Sequence, residues 1–339
     1  MSYTIKDVAG KAGVSTATVS LVVHNHKRIS SETRKKVLKV IKQLNYYPSR
    51  SARGLVSKKT GNIGFILTEE HFLKTEPFYT RIFLGTEFAT RETNYYVLLT
   101  TVKSDFANDE PLPRFLEEKS VDGIIIAGKI PLSLIDRIAQ MKIPTVFVDY
   151  YPPSGDYPAI MIDNIKGGIL ATQHLIELGH EKIGFVGGDL NHPSISDRLY
   201  GYRKVLRQSS IEVKNSYIST EEQNTTKQTG YSAAEKLFAK APDLTAVFAC
   251  NDAMTLGVLQ FLKDHNYKVP EDISLIGFDD VESDLLVKPT ISTIKVPKIE
   301  LGMEAMKLIV DIVKNNDLSP KKILIPVELV IRESTRKII

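Results

Sequence analysis

Residues 4–23 read TIKDVAGKAGVSTATVSLVV, and this stretch decides the fold of the first part of the chain. Thr4 and Asp7 have the spacing of a capping box, which predicts the start of a short helix. Gly13 comes just after that helix and can take the positive φ of a tight turn, and Ser15 then supplies an N-cap hydroxyl for a second helix. Two short helices joined by a glycine turn are typical of a helix-turn-helix.

A third helix and a strong positive charge complete this part. Apolar spacing predicts the helix from residue 30 or 31 to residue 44, with a buried stripe at Val37, Leu38, Ile41 and Leu44. Residues 1–60 hold 13 Lys and Arg and two acids, a net charge of +11, whereas residues 61–339 hold 31 basic and 38 acidic residues, a net charge of −7. Because phosphate contacts explain such an excess, the charge favours double-stranded DNA as a partner. A solvated basic helical cap or a ribosome-contacting arm is the alternative.

Further motifs follow at fixed spacings through residue 55. They are Thr4-Ile-Lys-Asp-Val-Ala9, Ala12-Gly-Val-Ser15, Ala17-Thr-Val-Ser20, Ser30-x-x-Thr33-Arg34, Tyr47-Pro48 and Ala52-Arg53-x-Leu55. Together they resemble the amino-terminal domain of the lactose-repressor/galactose-repressor (LacI/GalR) family of bacterial transcription regulators. The resemblance implies that the helix over residues 16–25 enters the major groove. It also implies a set of DNA contacts, namely Thr4, Ser15, Thr16, Ala17, Thr18, Ser20, Leu21, Ser30, Thr33, Ala52 and Leu55.

Leu21 departs from the family pattern, which most often has arginine at this position. Ala17, Leu21 and His24 are spaced to lie on the helix face opposite the valines. Because leucine cannot make a bidentate contact with guanine, apolar contact with thymine methyl groups is the chemistry that remains, and we expect an atypical operator. The alternative is that Leu21 packs within the domain and contacts no base. Ser15, Thr18, Ser30 and Thr33 are predicted to lie at helix starts. Their hydroxyls can bind DNA phosphates there, and simple N-capping is an alternative that is compatible with this role.

Residues 48–60 are predicted to be a hinge and linker. Ser49 is a candidate N-cap, but a helix of this length is marginal in water, and Gly54 weakens it further. The resemblance implies that this hinge helix pairs with that of a second subunit in the minor groove, where Leu55 enters the central base step. It therefore implies a homodimer and a palindromic operator. An unstructured linker is the alternative.

Residues 61–339 are predicted to form an α/β core of two lobes. Apolar runs of strand length occupy residues 63–67, 95–99, 123–126, 144–148, 182–186, 245–249 and 273–277. They alternate with amphipathic helices, which indicates parallel sheets covered on both faces. The core resembles the effector-binding domain of the same family, which is similar to periplasmic sugar-binding proteins. We expect a DNA-binding domain at 1–47, a hinge at 48–60 and a core at 61–339, with one lobe at about 61–161 and 292–322 and the other at about 162–291 and 323–339.

Polar side chains follow several predicted strands, where a cleft between two lobes would lie. Carboxylates, an amide and a guanidinium suit a hydroxyl-rich ligand, because carboxylates accept hydrogen bonds from hydroxyls and arginine donates in a fork. The candidate effector-binding residues from this argument are Asp149, Arg198, Asn251 and Asp279, and the resemblance adds the aromatic residues Phe78 and Tyr79, whose rings are implied to face the ligand. We therefore predict a carbohydrate effector, although some members of the family use purines or a partner protein. As alternatives, Phe78 is a core residue, and Asp252 and Asp280 are helix caps or turn formers.

The remaining motifs argue against other functions. Gly123 to Lys129 nearly fit a phosphate-binding P-loop, but Ile130 offers no hydroxyl to magnesium. The seven histidines are scattered and Cys250 is the single cysteine, so we expect neither a metal nor a cofactor. No signal peptide or membrane span is recognised, and a cytoplasmic, nucleoid-associated protein is expected. We expect a ligand-controlled repressor rather than the two rival classes, a sugar-converting enzyme and an exported sugar-binding protein.

Overall fold

The computed structural model describes residues 3–23, 26, 28–46, 59–73, 78–153, 155–317 and 319–338. By their contacts the residues form two compact units, Met1–Thr60 and Gly61–Ile339. His24 and most of the predicted hinge, including the candidate DNA contacts Ala52 and Leu55, lie outside the described residues. Within the described ranges, every helix is too short or too polar to cross a bilayer.

The first unit consists of three helices, α1 (Ile5–Ala12), α2 (Thr16–Val23) and α3 (Ser31–Gln43). The carboxylate of Asp7 accepts hydrogen bonds from the backbone N–H and the hydroxyl of Thr4, both at 2.7 Å. Gly13 ends α1 with a φ of 62°, which allows the tight turn into α2. The buried apolar residues are Val8, Ala9, Ala12, Val19, Val22, Val37, Val40, Leu44 and Tyr46. The prediction for Leu38 was wrong: its side chain is 48% exposed, because Val37 and Val40 turn the buried face of α3 away from it.

The second unit alternates strands and helices along the chain. Its strands are β1 (Asn62–Thr68), β2 (Tyr96–Val102), β3 (Gly123–Ala127), β4 (Thr145–Val148), β5 (Ala159–Ile162), β6 (Ile183–Val186), β7 (Ile218–Ser219), β8 (Ala246–Ala249), β9 (Ser274–Ile276), β10 (Thr293–Lys295), β11 (Lys322–Ile325) and β12 (Glu328–Val330). Its α-helices are α4 (Glu69–Leu73), α5 (Phe78–Ala89), α6 (Arg114–Glu117), α7 (Leu132–Met141), α8 (Asn164–Glu177), α9 (Pro193–Gln208), α10 (Lys227–Lys240), α11 (Asp252–Asp264) and α12 (Lys298–Asn315).

Two parallel sheets form the two lobes of this unit. The first has the strand order β2-β1-β3-β4-β5-β11, and the second has the order β7-β6-β8-β9. Side chains of β1 and β3 are buried on both sheet faces, which explains their uninterrupted apolar runs. The predicted fold class, a helix-turn-helix unit followed by an α/β core with two lobes, is confirmed.

The chain passes between the lobes three times. The first passage follows β5, the second runs from β10 to α12, which packs on α5 and the first sheet, and the third runs from β11 to β12. Strands β10 and β12 pair with each other as an antiparallel ribbon. Because β11 extends to Ile325 in the first sheet, that sheet reaches beyond the boundary expected near residue 322. The last segment returns to the second lobe, where the backbone N–H of Ile338 donates to the carbonyl of Leu178 at 2.8 Å.

Candidate functional site

Side chains from both lobes line one cavity of about 120 Å³ at the carboxyl edges of the two sheets. The lining residues are His71, Phe78, Tyr79, Asp149, His192, Ser194, Ile195, Arg198, Thr225, Cys250, Asn251, Ala253, Asp279 and Val281. All six residues predicted to bind an effector are among them. The reason is topological, because parallel strands end at a common edge and the loops after β1, β4, β6, β7, β8 and β9 meet there.

Asp149 joins the two lobes within the cavity. It directly follows β4 of the first lobe, with a φ of 59°. The hydroxyl of Tyr79 donates to Asp149 Oδ2 at 2.9 Å, and the hydroxyl of Ser194, from the second lobe, donates to Asp149 Oδ1 at 3.0 Å. Burial, and then the nearby carboxylate of Asp149, raises the pKa of Tyr79 well above 10, so this phenol stays a hydrogen-bond donor.

Arg198 is buried and held by three contacts. Its Nε donates to Asn164 Oδ1 at 2.8 Å, its Nη1 donates to the carbonyl of Cys250 at 2.6 Å, and its guanidinium lies 3.7 Å from the ring centroid of Phe278. Helix α9 starts at Pro193 and holds Arg198 on its buried face. The guanidinium is therefore fixed before any ligand arrives.

Asp279 offers an unused acceptor beside this guanidinium. Its Oδ1 lies 3.8 Å from Arg198 Nη1, yet it is buried and accepts no hydrogen bond from the described residues. Burial raises the pKa of Asp279 to about 7, although Arg198 favours the ionised form. His192 Nδ1 is likewise buried without a partner in the described chain, and burial lowers the pKa of this imidazole. Since buried polar atoms are nearly always hydrogen-bonded, these two atoms mark the cavity as a ligand site.

The other predicted residues have mixed roles. Asn251 lines the cavity but is also the N-cap of α11, since its Oδ1 accepts from the N–H of Met254 at 2.9 Å. Phe78 is partly buried and meets the ring of Tyr79 edge to face, with centroids 5.0 Å apart. Asp280 has a positive φ, as a turn former would. The carbonyls of Asp279 and Asp280 both accept from the ammonium of Lys298, which fixes this turn.

Four polar lining residues were missed by sequence reasoning. They are His71, His192, Ser194 and Thr225. Each lies beyond the carboxyl end of a strand, so the rule that identified Asp149 applied to them as well. They stand several residues after the strands rather than immediately behind them, and the apolar runs alone do not show where the intervening loops turn back.

In the first unit, the outer face of α2 is accessible. Thr16 and Ala17 are exposed and Leu21 is partly buried, whereas Val19 and Val22 are in the core. The predicted phosphate contacts also cap helices: the hydroxyl of Ser15 accepts from the N–H of Thr18 at 3.1 Å, and that of Ser30 accepts from the N–H of Thr33 at 3.2 Å. The hydroxyls remain on the exposed ends of α2 and α3, so capping is compatible with phosphate binding.

Comparison with known proteins agrees with this architecture along the whole chain. The family profile for bacterial regulatory proteins of the lacI family matches residues 4–49, and that for the periplasmic binding protein-like domain matches residues 172–335. The chain is 34% identical over 337 residues to the HTH-type transcriptional repressor PurR of Mannheimia succiniciproducens, with 99% of both chains covered.

Two solved structures are similar over nearly their full length. The complex of the transcriptional regulator CelR with cellobiose has a TM-score of 0.76 and 30% identity, and the match covers 98% of this chain and 99% of that one. The lac repressor dimer bound to operator and the anti-inducer ONPF has a TM-score of 0.80 and 26% identity, with 99% and 100% covered. Because a helix-turn-helix unit and a two-lobed core are both matched along one chain, this protein belongs to the LacI family of DNA-binding transcriptional repressors.

Proposed function

We propose that a carbohydrate bound in the cavity controls the affinity of this repressor for its operator. The observation that carries the proposal is the pair formed by Arg198 and Asp279, a fixed donor next to an unused acceptor. Neighbouring hydroxyls of a sugar both donate and accept, so one such pair of hydroxyls can satisfy both groups. Cellobiose in the similar CelR complex supports the same ligand class. Purines are the competing class.

Each lining residue receives a role in this proposal. Arg198 donates to the sugar and Asp279 accepts from it. Asn251, whose Oδ1 caps α11, donates to the sugar from its side-chain N–H group. Phe78 covers an apolar face of the ring, and behind it Asp149, which accepts from Tyr79 in its own lobe, joins the lobes through Ser194. The cavity of about 120 Å³ is smaller than the roughly 300–1,000 Å³ of most ligand clefts, so binding requires the lobes to separate first and to close again on the sugar.

The effect on DNA requires two subunits. We propose a homodimer that uses exposed apolar side chains of the core, with Leu84 and Phe88 on α5 and Tyr96 and Leu99 on the edge strand β2. Lobe closure then changes the spacing of the two hinges at residues 48–60, where Ala52 and Leu55 are assigned to the minor groove of a palindromic operator. The ligand shifts a population between two arrangements rather than acting on DNA directly.

A ligand screen tests the proposal. The full-length protein is heated with cellobiose, ribose, glucose, glucose 6-phosphate, adenine or guanine, and operator affinity is measured by fluorescence anisotropy with and without each compound. A sugar present at about 100 times its Kd should stabilise the fold by about 2.7 kcal/mol, change operator affinity and be recovered unconverted. Stabilisation by a purine alone would contradict the carbohydrate assignment, and conversion of the sugar would favour an enzyme.

A further inference from the structure

Two carboxyl groups are buried directly behind the wall of the cavity. Asp252 is the first residue of α11, and Asp284 lies in the short 3-10 helix Glu282–Leu285; both are 0% exposed. Val281 links them, since its N–H donates to Asp252 Oδ2 at 3.2 Å and its carbonyl accepts from the N–H of Asp284 at 3.2 Å, and the two carboxyl groups are close enough to influence each other's pKa. Two adjacent carboxyls without water cannot both be ionised at neutral pH, because the like charges repel in a medium of low polarity.

The hydrogen bonds around the pair leave one position for a proton. Asp252 already accepts from the hydroxyl of Thr293 at 2.8 Å and from the N–H of Val281 at 3.2 Å. Both carboxylate oxygens of Asp284, in contrast, lack a donor among the described residues. When Asp252 carries a proton, its O–H can donate a hydrogen bond to an oxygen of Asp284 and so supply the missing donor.

The charged groups nearby do not remove the need for this proton. Arg332 Nη1 is 4.0 Å from Asp284 Oδ2, but it donates to the carbonyl of Ile291 at 2.7 Å, and the other arm of the guanidinium holds Asp280. Asp279 and Asp280 place further negative charge near Asp284 and so also raise its pKa. Burial raises the pKa of Asp284 to about 6 and that of Asp252 well above its usual range.

We propose that Asp252 and Asp284 share one proton, and that this protonated pair positions the loop over residues 277–284. That loop carries Asp279 and Val281 into the cavity. It is bound to the pair at Val281, whose N–H donates to Asp252 and whose carbonyl accepts from the N–H of Asp284 at 3.2 Å. When the proton leaves, repulsion drives the 3-10 helix away from α11, and the wall of the cavity loosens. The two residues are positioning residues that do not touch the ligand.

Unfolding measurements test the shared proton without any ligand. Asp252→Asn and Asp284→Asn each replace the proton-bearing arrangement with an amide that donates to the remaining carboxylate. Asp264→Asn, an exposed position at the end of α11, is the matched control. Each proton held only by the folded state makes the unfolding equilibrium constant rise about tenfold per pH unit.

From pH 6.5 up to the pH at which the pair loses its proton, we therefore expect the unfolding equilibrium constant of the wild type and of Asp264→Asn to rise about tenfold more per pH unit than that of either pair variant. Titratable groups away from the pair are the same in all four proteins, so they cancel in the comparison. Asp252 helps to raise the pKa of Asp279, so the comparison is made in an Asp279→Asn background. Equal slopes in the wild type and both pair variants would overturn the shared proton.

Amide hydrogen exchange tests the positioning role. Exchange of a peptide covering residues 277–286 is corrected for the intrinsic base-catalysed rate and followed from pH 6.5 to pH 9. The wild type and Asp264→Asn should lose protection of this peptide as the pH rises, whereas Asp284→Asn should keep it constant. Protection that is independent of pH in the wild type would overturn the positioning role.

The proposal rests on the proposed function only for the statement that this loop faces an effector. Neither experiment contains a ligand, so a failed ligand screen with the expected slopes would remove the proposed function and leave the proton-sharing pair.

Discussion

Lys129 Nζ lies 3.0 Å from Asp189 Oδ2, and this ion pair joins the loop after β3 in the first lobe to the loop after β6 in the second. The hydrogen bond from Ser194 to Asp149 makes a second connection between the lobes, deeper in the cavity. An ion pair between Arg81 on α5 and Glu282 makes a third. All three contacts require the lobes to be close together, so the structure represents a closed cleft.

Removing the rim ion pair should favour the open cleft. The side chain of Lys129 is 49% exposed, and exposed pairs contribute less than about 1 kcal/mol, so Lys129→Gln should weaken sugar binding only about two- to fivefold. Small-angle scattering of the ligand-free protein should show a slightly larger radius of gyration. Lys103→Gln, at an exposed position after β2, serves as the control. An unchanged radius and affinity would show that the ion pair does not hold the cleft.

Arg198→Ala should abolish effector binding and destabilise the fold. The substitution leaves Asn164 Oδ1 and the carbonyl of Cys250 without their donor and removes the guanidinium that lies 3.8 Å from the carboxylate of Asp279. We therefore expect a loss of about 3–5 kcal/mol, by analogy with breaking a buried ion pair. Urea unfolding and calorimetry measure the two effects. Arg207→Ala, exposed at the end of the same helix, should change both by little. Retained sugar binding in a folded Arg198→Ala protein would remove the assigned role.

Asp279 should make ligand affinity and fold stability change in opposite directions with pH. Its pKa of about 7 lies above that of an unfolded aspartate, so the folded state without ligand gains stability as the pH falls from 8 to 6. Sugar binding uses the ionised carboxylate, so affinity should fall over the same interval. Asp279→Asn should bind weakly at every pH. Calorimetry and thermal unfolding at pH 6, 7 and 8 test this, and affinity that rises toward pH 6 would contradict it.

Leu21 should select bases rather than simply stabilise the first unit. Leu21→Ala should reduce discrimination at the contacted base pair by up to about 1–3 kcal/mol, the usual cost of one mismatched base pair, while affinity for random DNA stays the same. Binding-site selection from a random library, followed by anisotropy measurements on the selected site, gives both values. Leu38→Ala provides the control, because this leucine is exposed on α3. If the wild type and Leu21→Ala select the same DNA site, the result would support the alternative that Leu21 packs within the domain and contacts no base.

The sequence predicts elements whose signal is local. The strands that become β1, β3 and β8 are continuous apolar runs. Asp149 follows β4 directly, and Asn251 is the second residue after β8. Strand β11 was not predicted because its apolar run, residues 323–325, is only three residues long and because its pairing with β5 joins residues far apart in the chain. Predictions for the hinge, for Ala52 and for Leu55 concern residues outside those described, and they remain predictions.

The carboxyl pair shows why part of the site could not be predicted. Asp252 follows Asn251 at a helix start, a position where an acid is ordinarily explained by the helix dipole. Asp284 lies in a polar loop, where an acid is ordinarily solvated. Only the folded chain brings the two together and excludes water from both. Burial of a charge is a tertiary property, and local spacing carries no sign of it.

The three passages between the lobes also set the order in which the protein can fold during synthesis. A ribosome that has added residue 297 has made the whole helix-turn-helix unit and all four strands of the second sheet. The first sheet, although it begins at residue 62, still lacks β11 and the helix α12 that covers it. The nascent chain therefore has a complete DNA-binding unit before either α12 or β11 is available to complete the first lobe, and until then one face of that lobe is open to chaperones or to aggregation.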